Sequence, residues 1–199
     1  MGALNPENKP KSNSCGIAFP GFDAKIADSG ADGVGEICLK GDNIMLGYYK
    51  NPEATAEVIK DGWFYTGDLG YIDEEGFLYI KGRIKRMITR FDGHKVFPIN
   101  LESRIAARPD IHNCAVIGVN AREHSQGQYP LALIEVMNGA DGWNTCSEIF
   151  RHCDEWVEER GKPVAVLAVE ELPLTGMGKI DYRTLEKKYA NYDYREWRL

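Results

Sequence analysis

The stretch Gly62–Arg86, GWFYTGDLGYIDEEGFLYIKGRIKR, decides the fold class. Trp63–Tyr65, Tyr71–Asp73 and Phe77–Lys81 are short aromatic and apolar runs separated by turn residues, among them Glu74-Glu75-Gly76. Such runs read as short strands of a small, twisted, barrel-like β-structure. From Ile84 the pattern changes. Arg86–Arg90 is strand-like, and Asp92-Gly93 leads to a helix from near Pro98 to near Arg108. There Ile99, Leu101, Ile105 and Ala106 recur at roughly helical spacing. A boundary near Gly82–Arg86 therefore divides residues 1–84, β-rich, from residues 85–199.

Working outward, residues 1–33 are loop-rich, with one alternating segment at Ala24–Ile26. Gly35–Lys40 (GEICLK) alternates as a half-buried strand does, and Ile44–Tyr49 reads as its partner across the turn at Gly41-Asp42-Asn43. Asn51-Pro52-Glu53 opens a short helix that ends near Lys60, with Asn as cap and Pro at the first position. Downstream, Cys114–Val119, Leu131–Val136 and Val164–Val169 are strands. A helix over about Thr145–Arg160 sets Ile149, Phe150, Cys153, Trp156 and Val157 on one face before Gly161 and Pro163 stop it. Asp181 or a neighbour caps a final helix. Strands and helices alternate irregularly, so the fold class is α+β: twisted β-structure followed by a small α+β domain.

The 199 residues carry a formal charge of −6, which argues against a broad nucleic-acid surface. No apolar run reaches the ~20 residues of a transmembrane span. Met1–Ser14 is polar and reads as neither signal peptide nor anchor. Five cysteines without repeating spacing suit a reducing compartment, so a cytoplasmic location is expected. His112 with Cys114, and His152 with Cys153, lack a second ligand pair at zinc spacing and read as structural, so no metal is expected on them. For the aromatic tail (Tyr189, Tyr192, Tyr194, Trp197), packing or fraying is expected over docking to a partner.

Two segments carry chemistry. In PLTGMGKI (Pro173–Ile180), Lys179 follows Gly-x-Gly on a pliant backbone and offers a compact cation to phosphate oxygens. A phosphate-binding P-loop is excluded, because it needs Gly at 173 and Ser or Thr at 180. The plain alternative is a surface turn with a solvated lysine. In GWFYTGDLG (Gly62–Gly70), Asp68 can accept two hydrogen bonds from a ribose diol, or it is an ordinary turn residue. Arg83, fifteen residues on, can pair with Asp68 or reach a nucleotide, and spacing does not choose between them.

Five segments in this order are far more specific than any one: GEICLKGDNIMLGYYKNPEAT (Gly35–Thr55), GWFYTGDLG, GRIKRMI (Gly82–Ile88), GHKVFPINLE (Gly93–Glu102) and LPLTGMGKIDYRTL (Leu172–Leu185). From about Gly33 to Tyr189 the chain resembles the C-terminal part of the adenylate-forming (AMP-binding) superfamily, acyl-CoA synthetase or fatty-acid–CoA ligase type. The resemblance implies that Asp68 binds the ribose hydroxyls of ATP and that Arg83 contacts the same nucleotide. Lys85 and Arg86 would form the hinge between large and small domains. Lys179 would meet the substrate carboxylate and α-phosphate, and Gly93 and His94 would line the pantetheine channel. Residues 1–84 would then end the large domain and residues 85–199 form the small one.

The resemblance further implies ATP with Mg2+, its ligands upstream of these residues, coenzyme A as co-substrate, a carboxylic acid substrate and an N-terminal large domain as partner. Residue 86 departs from the family, being Arg where many members carry Asp, and residue 100 is Asn where Glu is usual. The phosphate loop and most of the acid pocket lie upstream, so this chain alone is expected to form no adenylate. GHKVFP favours a free-standing CoA ligase over an amino-acid-activating domain that loads a carrier protein. The remaining alternative is a non-catalytic interaction module.

Overall fold

A computed structural model describes residues 3–197, which form two compact units that divide after Lys85. The first unit is built on one antiparallel sheet. Its strands are β1 (Ala3–Leu4), β2 (Gly16–Ala18), β3 (Phe22–Ala27) and β4 (Gly35–Gly41). After helix α1 (Pro52–Val58) come β5 (Ile59–Lys60), β6 (Trp63–Ile72) and β7 (Phe77–Arg83). The spatial order is β1-β2-β7-β6-β4-β3, with β5 on β6. The sheet curls, bringing β3 back towards β2, as the barrel-like reading expects. Its core gathers Phe22, Ile37, Cys38, Phe77 and Leu78.

Helix α1 follows its local code. The Asn51 side chain accepts from the Ala54 N–H at 3.0 Å, Pro52 takes the first turn and Glu53 supplies its negative charge. Two local expectations are corrected. Ile44–Tyr49 is not a strand: β4 is already paired on both edges, by β3 and β6, and Leu46 and Tyr49 project into solvent. Trp63–Tyr65 and Tyr71–Ile72 are not separate strands but parts of the single strand β6, and Asp73 opens the turn that follows. The glycine-bearing middle is stitched to β4. Thr66 Oγ1 donates to Ile37 O at 2.8 Å, and the Gly67 N–H donates to Glu36 Oε1 at 2.8 Å. A register shift between Glu36 and Cys38 absorbs the irregularity.

The second unit begins at Arg86, the last residue of a 3₁₀ turn over Ile84–Arg86. Hairpin strands β8 (Ile88–Thr89) and β9 (Lys95–Val96) precede α2 (Pro98–Ala106). Strands β10 (Ile111–Asn120) and β11 (Gln128–Val136), helix α3 (Gly142–Trp156), β12 (Ala165–Ala168) and α4 (Tyr182–Tyr189) follow. β10 and β11 are antiparallel, β11 and β12 parallel. The sheet is covered on both faces. Cys114, Val116, Ile134 and Val166 pack with Leu101, Ile105, Ile149 and Cys153 on one side. Ala115, Ile117, Val119, Leu131 and Leu133 pack with Leu172, Leu185 and Tyr194 on the other. That double burial is why CAVIGV reads as a continuous apolar run rather than an alternating one. Each fully buried Ile or Leu contributes about 1.5–3 kcal/mol of transfer free energy.

Arg86–Arg90 is not one strand. Arg86 closes the 3₁₀ turn and points at Glu102, leaving only Ile88–Thr89 to pair. Helix α3 starts earlier than the apolar pattern suggests, because Asp141 caps it by accepting from the Trp143 and Asn144 N–H groups. It ends at Trp156 rather than Arg160. The β-branched Val157 is extended and packs against the core, and a separate 3₁₀ turn covers Glu159–Gly161. Asp181 caps α4 as expected. The aromatic tail packs: Tyr194 is buried, and the Trp197 ring lies 4.7 Å from that of Phe150. Among the described residues no helix is long and apolar enough to cross a membrane.

Candidate functional site

Within the first unit the sheet register brings two of the singled-out residues together. Asp68 on β6 and Arg83 on β7 are cross-strand partners, and Arg83 Nε lies 2.8 Å from Asp68 Oδ1. Arg83 is exposed and Asp68 half-buried, so the carboxylate keeps acceptor sites open to solvent. Asp68 stands inside the continuous strand, its N–H held by Thr66 Oγ1 at 3.0 Å, rather than at a strand end.

In the second unit Lys179 sits in a small closed loop. Leu174 and Ile180 bridge as an antiparallel pair. Thr175 ties the loop three times: its N–H donates to Lys179 O at 2.6 Å, its carbonyl accepts from the Gly178 N–H at 2.9 Å, and its hydroxyl accepts from the Lys179 N–H at 3.2 Å. Gly178 takes φ +75°, a left-handed turn that a side chain would strain. The backbone around Lys179, expected to be pliant, is instead tied down by these hydrogen bonds, while its side chain stays exposed.

Lys85 is exposed, whereas Arg86 is drawn inward. Arg86 Nη2 donates to Glu102 Oε1 at 2.5 Å, and its guanidinium stacks 3.6 Å from the Tyr182 ring centroid. Glu102 also accepts from the Val116 N–H at 2.8 Å and from Tyr182 Oη at 3.1 Å. Burial, reinforced by the Glu102 charge, pushes the Tyr182 hydroxyl well above the usual phenol range. Asn100, the other departure, is exposed in the first turn of α2.

Gly93 and His94 lie in the loop between β8 and β9. The loop is closed by the Arg90 N–H donating to His94 O (2.9 Å) and the Gly93 N–H donating to Arg90 O (3.0 Å). Asp92 accepts from the His94 N–H, and this hydrogen bond, with Arg90 and Arg160 nearby, holds its carboxyl below the usual range. His94 Nε2 is 3.0 Å from Glu158 Oε1.

Sequence reasoning missed Glu102 and Thr175. Glu102 had a signal: it lies four residues after Pro98 and three before Ile105, so a carboxylate falls on the apolar face of α2. Among the described residues no group of three or more His, Cys, Asp or Glu could hold a metal ion. Cys114 and Cys153 are buried thiols, pushed up to about 12 by burial.

Residues 100–179 match the family of AMP-binding enzyme C-terminal domains. The chain belongs to the adenylate-forming (AMP-binding) superfamily and corresponds to a C-terminal portion of its members. It is 37% identical over 153 residues to 2-succinylbenzoate–CoA ligase of Geobacillus kaustophilus, covering 77% of this chain and 30% of that protein. It is 35% identical over 188 residues to 4-coumarate–CoA ligase 1 of Arabidopsis thaliana, covering 91% and 33%. The ATP-bound structure of MatB from Rhodopseudomonas palustris superposes with a TM-score of 0.79 at 32% identity, over 96% of this chain and 38% of that one. The chain thus spans about a third of the length of the curated relatives it matches.

Proposed function

We propose that the chain is the C-terminal portion of an ATP-dependent acid–CoA ligase. Such an enzyme joins a carboxylic acid to ATP as an acyl-adenylate, releasing pyrophosphate, and then passes the acyl group to the CoA thiol, releasing AMP. The observation that carries the reading is the loop of Lys179: a backbone pinned by Thr175 with an exposed cation at its end. A backbone so anchored delivers the cation to one place, where it can meet charge that develops as the adenylate forms. Relatives described as CoA ligases, and a Bacillus subtilis o-succinylbenzoate CoA synthetase structure holding its acyl-adenylate intermediate, support the class.

In this reading Lys179 bridges the substrate carboxylate and the α-phosphate. Asp68 accepts from the ribose hydroxyls, and Arg83 orients Asp68 and contacts the nucleotide. Residues 1–84 end the large domain and residues 85–199 form the small one, with Lys85 and Arg86 as the hinge. Gly93 and His94 line the path of the pantetheine thiol. Mg2+, when bound with ATP, offsets phosphate charge and is held by residues upstream. The 199 residues alone form no adenylate, and the enzyme works in the cytoplasm.

The test uses the full-length protein with ATP, CoA and a panel of aromatic and aliphatic acids, following pyrophosphate, AMP and thioester. Thioester on free CoA is the expected product. Acid-dependent ATP–pyrophosphate exchange without any thioester would sink the CoA assignment, and absence of exchange with every acid would sink adenylation.

A further inference from the structure

The hairpin loop Phe91–His94 is packed from the side by a segment that no motif singles out, residues 121–127 between β10 and β11. The Phe91 ring stacks on the His124 imidazole, with centroids 3.6 Å apart and planes 12° from parallel. The two backbones also meet at Gly127, which has φ +92°. A Cβ built there would stand 2.3 Å from Phe91 N and 2.5 Å from Phe91 Cα. Only glycine allows so close an approach. The segment is itself tied back, the Ala121 N–H donating to Gly127 O at 3.0 Å and the Arg122 N–H to Tyr194 Oη at 2.8 Å. Tyr129 sets its ring edge against Phe91 at 6.0 Å and against Tyr194 at 5.7 Å.

On the other flank His94 meets Glu158, and Asp92 faces Arg160 at 3.6 Å. Glu158 and Arg160 are exposed, and exposed ion pairs constrain little. Phe91 and His124 are exposed as well, but their stack acts together with the Gly127 backbone contact, which leaves no room for a side chain.

We propose that His124 and Gly127 are positioning residues for the thiol-accepting half-reaction, holding the Phe91–His94 loop in the conformation that presents Gly93. The inference rests on the reading of that loop as part of the thiol path. A free hairpin tip samples many conformations, and a ring stack plus a backbone contact removes most of them before the thiol arrives.

Amide hydrogen exchange on the 199-residue chain tests the restraint directly, at the Arg90 and Gly93 N–H groups that close the loop. His124→Ala is expected to speed their exchange roughly two- to tenfold, the value of an aromatic stack. His124→Phe, which keeps a ring, should leave it unchanged. Gly127→Ala should speed it too, by forcing the loop away. Unchanged exchange in both His124→Ala and Gly127→Ala overturns the proposal.

In the full-length protein, His124→Ala should slow thioester formation from preformed adenylate by a similar factor, with ATP–pyrophosphate exchange intact. Gly93→Asn separates the two ideas, since Asn tolerates the left-handed backbone and its side chain enters open space. If Gly93→Asn slows thioester formation and His124→Ala does not, the loop's role stands and the restraint is overturned. If Gly93→Asn slows neither half-reaction, the thiol-path reading fails and the positioning role fails with it.

Discussion

Asp68 and Arg83 face each other in register across β6 and β7, joined by an ion pair of 2.8 Å. Sequence spacing left open whether the arginine meets the carboxylate or a nucleotide, and the strand pairing answers the first half. Because Arg83 is 67% exposed, the pair adds little to folding. Arg83→Ala should therefore leave the thermal midpoint within about 1 °C, while raising the KM for ATP in the full-length protein several-fold. Asp68→Asn keeps the shape but replaces one acceptor oxygen with a donor, and should do the same. A large loss of stability with unaltered ATP dependence would make the pair structural.

Lys179 and Thr175 separate charge from its placement. Lys179→Ala should depress adenylation in the full-length protein about 10²–10³-fold, the usual loss when a transition-state electrostatic contact is removed. Thioester formation from preformed adenylate should change far less. Thr175→Ala removes the hydroxyl that accepts from the Lys179 N–H, loosening the loop but keeping the cation. Its loss should fall in the same half-reaction and be smaller. Equal losses in both half-reactions for Lys179→Ala would remove it from adenylate formation.

Much of this arrangement was legible because it depends on local chemistry. Asn51 and Asp181 announce their helices, and the apolar run Cys114–Val119 announces β10; α2 was placed, but of its four apolar markers only Leu101 and Ile105 are buried. The continuous β6 was not legible. Its glycines read as turn, and what holds them in a strand is Glu36, thirty-one residues earlier in the chain. Ile44–Tyr49 looked like strand because its composition is right, but a strand needs a free edge, and β3 and β6 occupy both edges of β4. Of the candidate site, the residues carried by motifs were visible. Those that act through contacts distant in sequence, Glu102 beneath Arg86 and His124 beside Phe91, were not.

Glu102 gathers three donors from three parts of the second unit: Arg86, the Val116 N–H on β10 and Tyr182 Oη on α4. Its side chain is 12% exposed, so its removal leaves a half-buried guanidinium and a backbone N–H without their acceptor. Glu102→Ala should cost about 2–3 kcal/mol, read from the urea midpoint. Tyr182→Phe, which loses one hydrogen bond and keeps the ring under Arg86, should cost about 1 kcal/mol. A Glu102→Ala loss below that of Tyr182→Phe would mean that the carboxylate is not the hub.

The acid limb of stability should depend on Arg108. Its guanidinium donates to both oxygens of Asp110, at 2.9 and 2.8 Å, and to Glu148 Oε2 at 2.9 Å, tying the end of α2 to α3. Arg108 is the largest cause holding both carboxyls below their ordinary values, with Thr145 also donating to Asp110. In the unfolded chain these groups take up protons near the usual pKa of about 4. In the folded chain they do so only at lower pH. Between those values the unfolded state binds more protons, so stability is complete above about pH 5 and falls as pH falls. Urea midpoints measured from pH 6 down to pH 2.5 should drop less steeply in Arg108→Ala than in the parent chain. At pH 6 the variant starts lower, and the two curves converge as the carboxyls protonate. Parallel curves would show that the cluster contributes nothing linked to protons, and that the other lowered carboxyls, such as Asp193 at about 2 beside Arg195, carry the acid dependence instead.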